Sequence, residues 1–470
     1  MNYICAECIG DSYLKAEIKD DGIDCVCDYC KEEDGKCYTA EELADLVEHA
    51  FEIHYNRTAD QPDEWQSMLL RDRESKYEWE REGEEVVYVI ADALGVNKEI
   101  AREIQQILEE RHSDQEMARM GKETEFSSEA HYEERIPTDY KWHVKWDELE
   151  VLLKKKRRYF NATARNSFKD IFHDVESLRT TDGKPLVYEL GESGSSKVVF
   201  RARYFDDFKS IQTAFKSPHF SLGAPPHEYA RAGRMNAEGI SVFYGATTPE
   251  VALSEIRPPV GSYVVISKSE TIRPIRVLDL SRIRNVKPPK GSIFDPAYTD
   301  TLLRIEFLKI VADKICKPVT PFHERFEYLV TQALSEYLEQ SADFSIDGVI
   351  YNSTQSSSEG KNMVLLHNSS KVGIPEAYKE IEFEANLVSR GPDEAPEFVI
   401  YQKNKTKTDS DKCRDAFTNR LHLGATDGRP VTLRFLMDSF QVHKIRGIAV
   451  DTYVFDSSMH KPFDLKDPAF

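Results

Sequence analysis

The stretch GAPPHEYARAGRMNAEGISVFYGATTPEVALSEIR, residues 223–257, predicts a loop, a short strand and a helix, in that order. The loop holds Arg234 directly after a glycine, and the mostly apolar residues 241–244 predict the strand. Thr248 is a favourable N-cap, and the proline that follows it suits the first position of a helix. The helix then carries Glu255 near the end of the strand. Because α/β proteins place their chemistry beyond strand ends, we expect a functional site here.

Length and composition predict a soluble protein of several domains. At 470 residues the chain is too long for one hydrophobic core, so about three domains are expected. The net charge of −20 argues against a general affinity for nucleic acid or anionic membranes. The first residues lack the pattern of a secretory signal, and no apolar run is long enough to span a bilayer. We therefore expect a cytoplasmic protein without a membrane partner.

Two CxxC pairs predict a structural zinc knuckle over residues 1–38. Cys5 and Cys8 form the first pair, Cys27 and Cys30 the second, and their separation fits a four-cysteine zinc site. Each pair aims two thiolates at one tetrahedral metal, and a segment with almost no core needs that metal to fold. These four cysteines are therefore the predicted Zn²⁺ ligands.

Two further cysteines leave the choice of ligands open. Either Cys25 or Cys37 could replace Cys27 or help to build a second site. A redox role is less favoured, because no βαβ pattern surrounds either CxxC pair. The many acidic residues of this segment weaken the case for nucleic-acid binding.

Apolar residues at helical spacing predict a helical bundle over residues 39–180. A capping box begins the first helix at Thr39, Gly95 ends another helix, and Asn97 caps the next one. The polar residues 111–137 are predicted to form a loop.

The second half of the chain predicts a mixed α/β domain over residues 190–370, followed by a β-rich accessory region over residues 371–470. One strand of the accessory region is predicted at Gly447–Phe455. The fold class is thus multidomain α+β. Self-association or partner binding is the expected use of the accessory region, and we expect a homo-oligomer.

One set of polar residues suits a substrate that has both a pyrophosphate and a glycosidic bond. The set contains two arginines, a tyrosine, a glutamate and a serine, namely Arg201, Arg234, Tyr244, Glu255 and Ser353. Arginine guanidinium groups bind phosphate in a bidentate manner. A carboxylate can hold sugar hydroxyls and stabilise the positive charge that develops as a glycosidic bond breaks. NAD fits this description, although these residue types alone leave other phosphate-bearing ligands open.

The order of several short motifs resembles that of the RES domain, named for its arginine, glutamate and serine. The resemblance covers about residues 198–367. The motifs are, in chain order, Phe200-Arg201, Gly233-Arg234-Met235-Asn236, Gly239, Tyr244, Ala252-Leu253-Ser254-Glu255, Asp347-Gly348-Val349-Ile350-Tyr351-Asn352-Ser353 and Asn362.

The resemblance implies an ADP-ribosyltransferase-like fold and an enzyme that consumes NAD as a toxin, by phosphorolysis or hydrolysis. It implies that Arg201 and Arg234 clamp the pyrophosphate or the attacking phosphate. Tyr244 would line the nicotinamide or ribose pocket, and Glu255 would orient the ribose and stabilise the developing charge. Ser353 would hold a phosphate or ribose oxygen.

Arg203 and Asn362 are further candidates for NAD binding, since Arg203 could exchange roles with Arg201. The segment after Ser353 lacks the basic residue expected beside a phosphate acceptor, which leaves hydrolysis open. Inorganic phosphate is therefore a candidate co-substrate only.

The N-terminal half resembles the HEPN-type domains that are fused to RES domains. Many such domains are ribonucleases with an R-x(4–6)-H motif, which this chain does not match cleanly. Arg111 and His112 are adjacent, and Arg165 and His173 are too far apart. We interpret this bundle as a non-catalytic or sensing module.

Three functions stay open at this stage. The leading one is NAD degradation by a toxin or antiphage effector, in a toxin–antitoxin or antiphage setting, with an unidentified activator. A second is transfer of ADP-ribose to protein or nucleic acid. A third is a non-enzymatic, zinc-dependent module for nucleotide or RNA. The basic run Lys154–Arg158 is either a solvated helix face or a binding site for phosphate or RNA.

Overall fold

The structure is a computed structural model. It describes residues 2–33, 35–72, 75–113, 123–138, 140–191, 197–317, 319–320, 322–341, 344–353, 355, 360–388, 397–404 and 427–448.

The helices are, in chain order, α1 (Ser12–Asp21), α2 (Ala40–His54), α3 (Glu64–Arg71), α4 (Val86–Leu94), α5 (Lys98–Arg111), α6 (Lys141–Val151), α7 (Ala162–Ile171), α8 (Phe208–Phe215), α9 (Pro218–Ser221), α10 (Pro249–Glu255), α11 (Pro296–Cys316) and α12 (Glu324–Gln340).

The strands are β1 (Tyr3–Cys5), β2 (Ile23–Cys25), β3 (Gly35–Thr39), β4 (Tyr55–Arg57), β5 (Glu84–Glu85), β6 (His131–Glu134), β7 (Val187–Leu190), β8 (Val198–Phe205), β9 (Phe243–Ala246), β10 (Tyr263–Thr271), β11 (Ile275–Asp279), β12 (Gly348–Asn352), β13 (Lys361–Leu365), β14 (Val372–Gly373), β15 (Ile381–Val388), β16 (Glu397–Asn404), β17 (Leu433–Phe435) and β18 (Gln441–Lys444).

The chain divides into two compact units, and each is built from two separate segments. The first unit joins residues 1–188 with residues 279–344, and the second joins residues 189–278 with residues 345–470. The domain predicted over residues 190–370 contains residues 279–344, which belong to the first unit together with residues 1–188.

Local helix signals in the first unit are confirmed. The Thr39 side chain accepts a hydrogen bond from the backbone N–H of Glu42 in a complete capping box. Gly95 ends α4 in the left-handed conformation with φ of 65°, which favours glycine. Asn97 caps α5 by accepting from two backbone N–H groups. These signals need only neighbouring residues, so the sequence predicts them well.

The loop predicted at residues 111–137 contains a strand. β6 pairs in antiparallel fashion with both β4 and β5 in a three-stranded sheet. Its Tyr132 is buried against the rings of Phe51 and Phe126. Only one side chain of this strand is buried and the rest of the segment is polar, so the composition did not predict a strand.

The main sheet has the strand order β14-β17-β10-β8-β9-β13-β12-β11-β7, with β18 also pairing with β10. β17 and β18 come from the region predicted to be a separate β-rich accessory region. They lie antiparallel to β10 at Ser269↔Phe435 and Val265↔Val442. Residues 371–470 therefore contribute strands to the sheet that carries the central motifs. Most of the strand predicted at Gly447–Phe455 lies outside the described residues.

None of the helices in the described residues combines the length and the apolar character needed to cross a bilayer.

Candidate functional site

Three neighbouring strands, the end of a fourth and one helix carry most of the predicted site residues. β8 holds Arg201, β9 holds Tyr244 and β13 holds Asn362. Ala246 of β9 is paired with Asn362, and it is also paired with Phe200 of β8. The sheet order β8-β9-β13-β12 thus gathers stretches that lie far apart in the sequence.

Helix α10 forms as predicted and fixes the position of Glu255. The Thr248 hydroxyl accepts from the backbone N–H of Val251, and the proline occupies the first helical position. Val251 and Ala252 are buried in one apolar cluster with Ala202, Ala246 and neighbouring residues. This packing seats the helix on the sheet at the end of β9, close to the start of β13.

Glu255 is held by two donors that come from distant parts of the chain. Its Oε1 accepts from Ser353 Oγ at 2.7 Å and from Asn362 Nδ2 at 2.8 Å. Asn362 is 5% exposed, and Ser353 directly follows β12. Oε2 accepts no hydrogen bond from any residue that the structure describes. The carboxylate is therefore oriented by one oxygen and can use the other.

Neighbouring polar groups complete this cluster. The backbone N–H of Gln355 donates to Ser353 Oγ at 3.2 Å, which leaves the serine hydroxyl proton directed at Glu255. Arg257 donates from Nε to Gln355 Oε1 at 3.0 Å. Glu255 is thus bonded to Ser353 and Asn362, and Arg257 is bonded to Gln355. Sequence reasoning missed Gln355, whose only signal was its place two residues after the serine.

Arg201 is a cation with few hydrogen bonds and without an ion pair to any described residue. Its Nη1 donates to the carbonyl oxygen of Tyr244 at 2.7 Å, and its guanidinium lies 5.2 Å from the ring of Phe243. Its buried Nε has no hydrogen-bond partner among the described residues, and no carboxylate there forms an ion pair with it. Burial, together with Arg203, lowers the pKa of Arg201 to about 10. Such a group favours an anionic ligand.

Tyr244 organises the loop of Arg234. Its hydroxyl donates to Asn236 Oδ1 at 2.8 Å and accepts from the backbone N–H of Met235 at 2.9 Å. A Cβ at Gly233 would lie 2.6 Å from that hydroxyl, so only glycine fits there. The tyrosine hydroxyl thus holds the turn, which adds a structural role to the one predicted for it.

Asn236 is a site residue that received no role from the sequence. It is 4% exposed, and its Nδ2 donates to the carbonyl oxygens of Arg231, Ala237 and Ile240. The sequence feature that could have indicated its role is its position in the G-R-x-N motif. It closes the loop around Arg234, which is half-buried.

A cleft of about 1030 Å³ adjoins these residues within the second unit. Arg201, Arg203 and Tyr244 line it. Arg203 is exposed, and its Nη1 donates to the carbonyl oxygen of Ser221. Ile256, the residue after Glu255, also lines the cleft, whereas the predicted site residues Glu255, Ser353, Asn362 and Arg234 are not among its lining residues. The volume suits a dinucleotide-sized ligand, since ligand sites in proteins reach about 1,000 Å³.

The four predicted zinc ligands lie together. The sulfurs of Cys5, Cys8, Cys27 and Cys30 all lie within 4.8 Å of one another. The Cys5–Cys30 and Cys8–Cys27 sulfur distances are 3.3 Å and 3.8 Å, where a tetrahedral zinc thiolate site requires about 3.8 Å. The donor set therefore fits Zn²⁺, which would cross-link the two CxxC turns.

The two alternative ligands are engaged elsewhere. Cys25 and Cys37 form a disulfide with each other, between β2 and β3. Neither belongs to the four-cysteine group. The structure therefore favours the predicted ligand set over the alternatives.

Comparisons with known proteins give a family match for one part of the chain. No curated protein and no solved structure matches it. No family match supports the HEPN-type resemblance of the N-terminal half. One family model, described as RES domain, matches residues 199–384, and a RES domain is therefore supported for that part of the chain.

Proposed function

We propose that this protein degrades NAD by cleaving the bond between nicotinamide and ribose, as a toxin or antiphage effector. RES domains are linked to NAD-processing enzymes, and the match spans the candidate site. The observation that carries the proposal is the convergence of Glu255, Ser353 and Asn362 through one carboxylate oxygen.

Each group has a task in this reaction. Oε2 of Glu255 would hold ribose hydroxyls and stabilise the positive charge that develops at the anomeric carbon. The carboxylate stays fixed because its other oxygen accepts from Ser353 and Asn362. Arg201 and Arg203 in the cleft wall would hold the pyrophosphate. Water or inorganic phosphate would then attack the ribose.

The test is incubation of NAD with the purified protein, with and without inorganic phosphate, followed by phosphorus NMR of the products. ADP-ribose in both samples would indicate hydrolysis, and a phosphorylated ADP-ribose that needs phosphate would indicate phosphorolysis. Label transferred to an added protein or nucleic acid would indicate ADP-ribosyl transfer instead.

The variant Glu255→Gln keeps the shape of the side chain and removes its charge. We expect NAD consumption to fall by about a hundredfold or more, because the stabilising charge is lost. Glu250→Gln is the matched control, since Glu250 is exposed in the first turn of the same helix. Equal activity of both variants would refute the assigned role of Glu255.

A further inference from the structure

A second large cleft, of about 980 Å³, lies within the first unit. Its walls come from α6, from the end of α7 and the segment that follows it, from residues 287–290 and from the first turns of α11. The function proposed above makes no use of it.

The cleft is basic in a chain whose net charge is −20. Six lysine and arginine side chains line it, against three aspartates. Four of the six form no ion pair with a carboxylate among the described residues. These four are Arg179, Lys287, Lys290 and Arg304.

The acidic groups of the cleft are already engaged. Asp170 pairs with Lys145, and Asp300 pairs with Lys141 at 2.6 Å. Asp174 lies 3.2 Å from the ring nitrogen of His173. The aspartates therefore form their ion pairs with other side chains, and the four remaining cations line the cleft without an ion pair to any described residue.

Arg304 gives the cleft a buried positive charge. It is 6% exposed, and its Nη1 donates to the carbonyl oxygen of His173. Burial lowers its pKa, and the nearby carboxylates of Asp174 and Asp300 offset this effect only in part. A buried charge without an ion pair is costly, and an anion in the cleft would offset that cost.

Trp142 adds an unused donor. This side chain is 4% exposed, and its buried Nε1 has no hydrogen-bond partner among the described residues. Buried polar groups are nearly always satisfied, so an orphaned N–H in a cleft wall indicates a missing acceptor. A phosphate oxygen or a ring nitrogen of a ligand could supply it.

We propose that this cleft binds a small polyphosphate of nucleotide size. Several unpaired cations around one concavity match several phosphate charges. The volume suits a small molecule held inside the fold, whereas a nucleic-acid strand needs an extended basic track. The proposal does not depend on NAD cleavage by the other unit.

The test is calorimetric titration of the full-length, zinc-loaded protein with ADP and with inorganic pyrophosphate. The variant Lys287→Glu/Lys290→Glu reverses two exposed charges of the cleft. We expect the wild type to bind each probe saturably. The affinity of this variant should be lower by about tenfold or more, because each charge-assisted bond contributes about a factor of ten.

The matched control is Lys155→Glu/Lys156→Glu. These two lysines belong to the basic run and are exposed, but they do not line the cleft. The control variant should bind both probes as the wild type does. Near-ultraviolet circular dichroism checks that each variant keeps its fold.

Three results would overturn the proposal. One is no saturable binding of either probe to the wild type. The second is equal affinity in wild type and in the Lys287→Glu/Lys290→Glu variant. The third is binding of a single-stranded RNA oligonucleotide that depends on Lys287 and Lys290 while neither small probe binds.

Discussion

At the scale of single residues, the site depends on how one carboxylate is held. Glu255 is oriented through Oε1. Ser353 donates to it from the end of β12, and Asn362 donates to it from β13. We predict that Ser353→Ala lowers the rate of NAD consumption by about tenfold, because one hydrogen bond to a charged group is lost. The loss should appear in kcat more than in KM, since the serine acts on the carboxylate. Steady-state kinetics with NAD measure both.

The control for this residue is Ser254→Ala. Ser254 lies beside Glu255 on the same helix, but its hydroxyl donates to the carbonyl oxygen of Val251. Its removal should leave the rate within about twofold of wild type, as expected for a side chain outside the cluster. A Ser353→Ala enzyme as active as the control would show that the serine does not position Glu255.

At the scale of elements, Asp347 anchors the strand that leads to Ser353. It directly precedes β12, and its carboxylate accepts from Arg273 at 3.0 Å and from the backbone N–H of Arg276 at 2.8 Å. Ser369 donates to it as well. Burial alone would raise the pKa of Asp347, but these hydrogen bonds outweigh burial and lower it.

This lowered pKa has a consequence for stability. A carboxyl with a depressed folded-state pKa stabilises the fold above its unfolded pKa, and this stabilisation is lost as pH falls through the folded value. We predict that Asp347→Asn lowers the free energy of unfolding by about 1–3 kcal/mol at pH 7, measured in urea. The difference from wild type should shrink below about pH 4.

Asp206→Asn is the control, since Asp206 is exposed and has no hydrogen bond within the described part of the chain. It should unfold as wild type does at both pH values. A constant difference between Asp347→Asn and wild type across the acid range would contradict the assigned ionisation.

The elements also show what a sequence can predict. Thr248 and Asn97 begin helices through contacts with residues two or three positions away, so their roles are visible locally. The pairing of β17 and β18 with β10 joins residues more than 160 positions apart (Ser269 with Phe435, for example), and no local pattern encodes it. The order of the RES motifs predicts that Glu255 and Ser353 belong to one site, but neither that order nor the spacing predicts their hydrogen bond.

The zinc knuckle is an element whose prediction can be tested directly. Removal of zinc by a chelator, or the variant Cys8→Ser, should release about one metal ion per chain and lower the melting temperature. Cys25→Ser is the control and should retain the metal, because Cys25 lies outside the four-cysteine group. Atomic emission and calorimetry measure the two quantities. Zinc loss in the Cys25→Ser variant alone would mean that the ligand set is different.

At the scale of the whole molecule, the segment that matches the RES family is not one compact unit. The match covers residues 199–384, but residues 279–344 belong to the first unit with residues 1–188. Phe307 of α11 is 2% exposed, and its ring lies near the buried Trp142 and Trp146. Lys141 also forms an ion pair with Asp300 at 2.6 Å.

This division predicts that the RES segment does not fold when residues 1–188 are deleted. Such a fragment would expose the apolar side of α11, which α6 covers in the full chain. We expect an aggregated or partly unfolded fragment by size-exclusion chromatography and circular dichroism. In the full chain, Trp146→Ala should destabilise the same packing by about 3–5 kcal/mol. A monomeric, cooperatively folded fragment of residues 189–470 that consumes NAD would instead show that α11 and α12 can fold without the N-terminal half.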